Sequence, residues 1–373
     1  MEPKHYGYID ALRGYAILMV IAIHSSQYFD ALASNHLIAA GARGVQLFFV
    51  ASGLTLCLSW QARNDGAVSF YVRRFFRIAP MFYLAIVFFI FARGFGPSIY
   101  APDGIGLRHI LMTATFTHGL MPDTITSLVP GSWSVADEMM FYGAFPLIMT
   151  VRARWFAAAA LVEAITIACT MIENRLNPTV WAMPDTPWKS AWGTFYYLWI
   201  VNQLPCFLFG ILVARWISDG VPVPFPAAIV ILSVGLAVWN AWGLPIKYWP
   251  LLSTPVQFGA IFALFALGLS KWQPVALVNP VICWIGKISF SGYLIHLALI
   301  SRLPIHPTNF GQSFTIIATA TIALSSITYL GIEQPFNRLG RRIAQRLSGA
   351  AFGRSDRTKT EQSTHLPAHQ ANA

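Results

Sequence analysis

Long apolar runs recur along the chain, separated by short polar or proline-rich connections. A bilayer core about 30 Å thick takes about 20 mostly apolar residues per helix. Windows of that size predict spans near 8–29, 43–61, 76–95, 132–150, 155–173, 195–217, 225–242, 254–270, 281–301 and 313–332. A further apolar stretch, 110–120, is short and has His109 and His118 at its edges. The basic loops decide whether it crosses. Arg63, Arg73, Arg74 and Arg77 fall in 61–77, Arg152 and Arg154 in the turn at 151–154, and Arg338, Arg341, Arg342 and Arg346 after Gln334. Cytoplasmic loops collect Lys and Arg. All three clusters lie inside, together with both termini, only if 107–121 is re-entrant or interfacial.

The pattern therefore predicts an all-α, polytopic transmembrane helical bundle of about ten spans, with one short re-entrant or interfacial segment and cytoplasmic N and C termini. Residues 1–336 form the transmembrane domain. Residues 337–373 read as a tail that is basic and then polar, its apolar-poor end too weakly hydrophobic to fold alone. The proline-rich connections at 176–188 and 219–226 are punctuation between helices.

Composition narrows the class. Of 373 residues, 56% are apolar and 11% charged, and the mean hydropathy is +0.56. A soluble domain carries roughly 25% charged residues, so this chain could not cover several soluble cores with polar surface. Disorder, collagen, a disulfide scaffold and a cytosolic enzyme are excluded. The excess of 25 Lys and Arg over 15 Asp and Glu sits largely in short loops and the tail. That placement suits helix orientation and anionic head groups, not nucleic acid. Cys57, Cys169, Cys206 and Cys283 are far apart in apolar runs and read as small hydrophobes, with no metal site. The first apolar run, 16–23, follows Asp10 and Arg13 and has no small-residue cleavage site after it, unlike a cleaved signal peptide.

Ionisable groups inside apolar spans are expensive and carry a functional hypothesis by default. Arg13 and His24 are eleven residues apart, about 16 Å along a helix and about 20° apart around it, so both point along one face. Arg13 alone is equally explained as a snorkelling anchor, and His24 alone as an interhelical hydrogen bond. Comparing depths across helices favours more. His24, Glu138 and His296 each lie about five or six residues (about 8–9 Å) from the predicted outer ends of their spans. Two imidazoles and a carboxylate at one level suit general-base work on a hydroxyl; a structural polar network remains the bland alternative. On the inner side, Arg73 and Arg77 share a face at i and i+4, and Arg74 and Arg77 are neighbours at i and i+3. With Arg13 they form a candidate phosphate clamp, since guanidinium forks match phosphate oxygens. Positive-inside topology alone would also place arginines there.

The same residues carry a family pattern. Asp10-Ala-Leu-Arg13 followed by His24 resembles the R-x10-H signature of the acyltransferase-3 family of integral membrane O-acyltransferases. Phe48-Phe49-Val-Ala-Ser52-Gly53 is similar to its second-helix block, and Phe70-Tyr71-Val-Arg73-Arg74-Phe-Phe-Arg77 to its arginine-rich loop. Trp133-Ser134 through Glu138 to Phe141-Tyr142 resembles its W-S-x-x-x-E-x-x-F-Y block, and Tyr293-Leu-Ile-His296 and Glu333-Gln-Pro335 its closing motifs. The blocks run in family order over residues 6–336. Asp137 stands where the family usually has an apolar residue.

The resemblance implies transfer of an acyl group, acetyl above all, from acyl-CoA to a hydroxyl of an extracytoplasmic carbohydrate such as exopolysaccharide or lipopolysaccharide, or of a small lipid-like or macrolide acceptor. It implies His24, Glu138 and Arg13 as catalytic residues and Arg74 and Arg77 as loop arginines of the acyl-CoA site, to which the clamp reading adds Arg73. Asp10, Ser52, Trp133, Ser134, Tyr142, His296 and Glu333 support them, with Ser52, Ser134, Tyr142 and His296 as the options for stabilising an oxyanion. No bound cofactor or metal is expected. The partners are the acyl-CoA donor, a carbohydrate or lipid-linked glycan acceptor and membrane lipids, and the location is the bacterial cytoplasmic (inner) membrane. The rival reading is a transporter or flippase of a lipid-linked sugar, with the same charges as a proton relay.

Overall fold

The structure is a computed structural model that describes residues 6–26, 36–63, 65–98, 100–150, 187–242, 253–303 and 307–348, with isolated positions between 161 and 175. Among the described residues the chain is helical and contains no strand; a lone bridge links Ser98 and Ala101. The main helices are α1 (Gly7–Ser26), α2 (Gly44–Arg63), α3 (Gly66–Arg93), α4 (Leu107–Ala114), α5 (Trp133–Thr150), α6 (Pro187–Leu198), α7 (Ile200–Ser218), α8 (Pro226–Ala241), α9 (Thr254–Lys271), α10 (Pro280–Lys287), α11 (Ser289–Arg302) and α12 (Phe310–Thr328).

Six helical stretches among the described residues are long and apolar enough to cross a membrane, or seven if α10 and α11, bent by 74°, form one broken span. That is fewer than the ten windows predict. The window 155–173 lies outside the described residues. Helix α5 has 18 residues but carries Asp137 and Glu138, which lower its hydropathy. Helix α8 has 16 residues, about 24 Å of rise and short of a bilayer core. The 107–121 segment holds no helix long enough to cross: α4 has 8 residues, about 12 Å, and a turn leads into a 3-10 turn at His118–Leu120. At the other end, α12 passes through a π turn at Tyr329–Glu333 and stays helical to Ser348. The stretch 337–348 is thus helical, and Ser69 Oγ donates to the Ala344 carbonyl at 3.2 Å; residues 349–373 lie outside the described residues.

Local chemistry sets several boundaries. The Asn279 side chain accepts from the Val281 and Ile282 amides at 3.1 Å, with Pro280 at the first helical position of α10, the arrangement expected of an N-cap. Asn309 caps α12 by accepting from the Gln312 amide at 2.9 Å. The packing is that of a membrane bundle, with apolar bulk outside and polar groups inside. Phe91 is 86% exposed and Phe225 81%, whereas Gln46, Gln203, Asp137 and His296 are fully buried. Gln46 Nε2 donates to Gln203 Oε1 at 2.8 Å between α2 and α7. Those two helices pack most extensively, and small residues allow it. A Cβ on Gly53 would sit 2.1 Å from the Phe207 carbonyl oxygen, and one on Gly210 2.2 Å from that of Val50. Helix α1 lies at the centre, touching α2, α10, α11 and α12. Arg13 and His24 are therefore carried on an interior helix.

Candidate active site

Three adjoining cavities run along α1. The first, about 810 Å³, is lined by Arg13, Arg63, Arg73, Arg74, Arg77 and Arg341 together with Thr55, Tyr329, Gln334 and Asn337. Arg13 and Arg77 also line the second, of about 560 Å³, where they meet Ser52, Ser134, Glu138 and Tyr293. Val45 and Tyr293 pass from there into the third, about 1020 Å³, which holds His24, Tyr100, Thr126, Trp133 and Tyr197.

The arginine cavity arises from four places in the chain, with Arg13 supplied by α1. Helix α3 presents Arg73, Arg74 and Arg77 within two turns, α2 ends at Arg63, and the helix beyond Glu333 brings Arg341 across. Both terminal nitrogens of Arg73 bond the Asp65 carboxylate, one at 2.9 Å and the other at closer range. The Arg74 guanidinium lies over the rings of Phe70 (5.6 Å) and Tyr142 (5.8 Å), a cation–π setting that fixes its plane. Arg13 Nη2 donates to Thr55 Oγ1 at 3.0 Å. Arg77 lies in the field of Glu333 and Glu138. Glu333 is held by the π turn, a distortion that often marks functional sites, and accepts from the Ser291 amide at 3.0 Å and from its hydroxyl.

In the middle cavity, Glu138 Oε1 accepts from Ser52 Oγ at 2.6 Å and from the Tyr142 hydroxyl. Glu138 and Tyr142 are i and i+4 on α5 and share a face, from which Glu138 meets Ser52 of α2 and the Tyr142 ring meets Phe70 and Arg74 of α3. Ser134 lines the same space. Trp133 packs edge-on to Phe49 with ring centroids 6.0 Å apart and opens to the outer cavity.

The expected grouping of His24, Glu138 and His296 at one depth resolves into two stations. Glu138 sits in the middle cavity on hydroxyls from α2 and α5, beside the field of Arg13 and Arg77. His24 lines the outer cavity and lies ring to ring with His296, centroids 5.2 Å apart. Counting residues from helix ends gives depth along each axis; the azimuth and tilt that decide contact come from packing. Asp10 stands apart from the cavities, buried where α1 crosses α10, its backbone carbonyl hard against Gly286. Asp137, next to Glu138 on α5, is fully buried, and neither carboxyl oxygen has a hydrogen-bond partner among the described residues.

Several contributors carry no sequence signal strong enough to find them. Thr55 and Asp65 are common residue types at unremarkable spacings. Arg63 and Arg341 read only as topology markers, because nothing local says that α2 and the last helix converge. Outside the spans, His118 is fully buried and its Nε2 lies 3.1 Å from the Ser132 carbonyl oxygen. Burial holds its imidazole down at about 4. The His109 imidazole is also lowered, by burial and by Arg108 beside it.

The family model described as "Acyltransferase domain" matches residues 6–330. The chain is 29% identical over 233 residues to "Acyltransferase MdmB" of Streptomyces mycarofaciens, covering 57% of this chain and 58% of that one. It is 24% identical over 378 residues to "Peptidoglycan O-acetyltransferase OatA" of Listeria monocytogenes, covering 90% of this chain and 56% of that protein. It is 27% identical over 124 residues to "Exopolysaccharide production protein ExoZ" of Rhizobium meliloti, covering 33% of this chain and 38% of that one. The chain thus spans less than two thirds of the length of each of these relatives. No solved structure matches the chain.

Proposed function

Because the chain belongs to the acyltransferase family whose model it fills from residue 6 to residue 330, we propose that it is an integral membrane O-acyltransferase of the bacterial inner membrane. It moves an acyl group, acetyl in the first instance, from acyl-CoA to a hydroxyl of an extracytoplasmic carbohydrate. The observation that carries this reading is the chain of cavities. Six guanidinium groups line one end, His24 lies at the other, and Arg13, Arg77, Val45 and Tyr293 are shared along the way.

Each stretch suits one part of the reaction. The arginine cavity faces the cytoplasm and takes the phosphates of CoA, where charge-assisted bonds to guanidinium are strong and geometrically selective. The pantetheine arm follows the middle cavity, spanning the roughly 16 Å that separates Arg13 from His24 on α1. Glu138 holds the Ser52 and Tyr142 hydroxyls and offsets the charge of Arg13 and Arg77. At the outer end, His24 takes the proton of the acceptor hydroxyl, and the hydroxyl oxygen attacks the thioester carbonyl. The C–S bond then breaks, and His24 returns the proton to the departing CoA sulfur. Ser52, Ser134, Ser289 and Tyr293 bring hydroxyls to the middle stretch of the path. Trp133, Tyr100 and Tyr197 give the outer cavity aromatic walls of the kind that sugar rings stack on. The names of two relatives, a peptidoglycan O-acetyltransferase and an exopolysaccharide production protein, support a surface carbohydrate as acceptor.

The test is thiol release from acetyl-CoA by purified protein in lipid nanodiscs, with and without glycan acceptors. Acceptor-stimulated release is expected from the native chain and at least 10³-fold less from His24→Ala, near the upper range for general-base catalysis. Equal rates in the two proteins would remove His24 from the chemistry. A native protein that releases no thiol from any acyl-CoA would return the intramembrane charges to a transport role.

A further inference from the structure

We infer that His296 is the positioning residue of His24, filling the place that a carboxylate fills in a His-carboxylate pair; this rests on the transfer proposed above. His296 is fully buried on α11. Its Nδ1 lies 3.2 Å from the Gly292 carbonyl oxygen, and a carbonyl can only accept, so Nδ1 carries the proton and Nε2 is a bare acceptor. That Nε2 is buried with no hydrogen-bond partner among the described residues. An unpaired buried acceptor is costly, and the aromatic donor ring beside it is His24, with centroids 5.2 Å apart and planes inclined at 40°. A ring-to-ring N–H···N bond of ordinary length, about 3 Å, with half an imidazole on either side, spans that separation. A turn of the half-buried His24 about its Cβ–Cγ bond, with no backbone movement, closes it. Catalytic hydrogen bonds often tighten only when substrate is bound.

The surroundings of His296 keep it still. Its ring lies 5.7 Å from that of Tyr293, whose hydroxyl is tied to the Gly131 carbonyl at 2.8 Å, and Gly292 packs against Thr321 and Ser325 of α12. With one nitrogen of His24 donating to His296, the proton of the acceptor hydroxyl is taken by the other. When the acceptor hydroxyl gives up its proton, His24 becomes an imidazolium bonded to the neutral His296. His296 keeps its own proton on Gly292 throughout, and the transferred proton leaves through His24 to the CoA sulfur. This pairing also accounts for a site in which Glu138 is engaged elsewhere.

The experiment compares native protein, His296→Phe, His296→Gln and His24→Ala, and the double variant His24→Ala/His296→Phe, in nanodiscs with acetyl-CoA and acceptor. Phe keeps the ring volume and removes the acceptor atom. If it is not recovered folded from the membrane, His296→Leu takes its place. The expected result is a fall in kcat of about 10²- to 10³-fold for His296→Phe with KM for acetyl-CoA within about threefold, on the scale of losing the group that orients a catalytic histidine. His296→Gln, which retains an acceptor oxygen, recovers at least tenfold over Phe. On the His24→Ala background, His296→Phe lowers the residual rate no further, since residues acting as a unit are not additive. A His296→Phe rate within twofold of native, no recovery by Gln, or a full further loss in the double variant would overturn the pairing while leaving the transfer reading intact. Absence of native turnover would overturn the transfer reading, and the pairing with it.

Discussion

The two ends of the cavity chain are built from opposite materials. At one end, six arginines converge from α2, α3, α1 and the last helix on a space of about 810 Å³; the described ion pair there is Arg73 with Asp65. At the other end, a space of about 1020 Å³ is walled by His24, aromatic rings, hydroxyls and aliphatic side chains, with Arg93 as its one arginine among the described residues. A concentration of cations recognises a highly charged ligand and tolerates variation in its shape. A cavity with mostly uncharged walls recognises shape and hydrogen bonds, and presents an imidazole that can exchange a proton. The middle stretch, where Glu138 meets Arg13 and Arg77, separates these electrostatic regimes. A single anionic donor can thus be anchored by six arginines at one end while it reacts in a pocket of mostly uncharged walls at the other.

The contrast predicts that the two ends fail differently. The largest effect at the arginine end is expected for Arg74→Gln/Arg77→Gln together. Each charged hydrogen bond is worth about 1.5–3 kcal/mol, so KM for acetyl-CoA should rise about 10²-fold or more, with kcat changed far less. The loss should shrink in high salt, where the native protein also binds donor less well. A kcat effect with unchanged KM would place the donor elsewhere. Next comes Glu138→Gln, which keeps the shape and removes the charge between the two regimes. We expect a fall of about 10-fold in kcat, since the amide accepts less strongly from Ser52 and Tyr142. A fall as deep as that of His24→Ala would restore the carboxylate to direct contact with the chemistry.

The smallest effect lies away from both ends and reads stability. His118 is buried neutral, its imidazole at about 4 against about 6.5 when unfolded. The unfolded chain therefore binds more protons between those values, so stability present above pH 6.5 is lost as pH falls through that window. The slope is at most about 1.4 kcal/mol per pH unit. Thermal unfolding in detergent should show native protein losing about 2 kcal/mol between pH 6.5 and pH 5 relative to His118→Gln. His109, also lowered, adds a smaller loss of the same sign in both proteins. Parallel pH profiles for the two chains would show that His118 is not held neutral.

The amino-acid sequence by itself determined the class of molecule and the side-chain chemistry available to it. Apolar runs and sparse charge dictate a helical bundle in a bilayer, because backbone polar groups in lipid must be satisfied within each helix. The 3.6-residue repeat then puts Arg13 and His24 on one face, and Arg73 and Arg77 on another. These are short-range facts that one helix settles alone. Partners were a different matter. That Arg63 and Arg341 close the arginine cavity, that Glu138 takes hydroxyls from Ser52 and Tyr142, and that His24 meets His296 depend on tilt and azimuth between helices far apart in the chain. So does the 74° break between α10 and α11, which no local hydropathy average records. Helix crossings are set by the fit of small against large side chains, such as Gly53 and Gly210 beneath facing backbone. That fit is a property of surfaces brought together in three dimensions, and only the tertiary structure decided it.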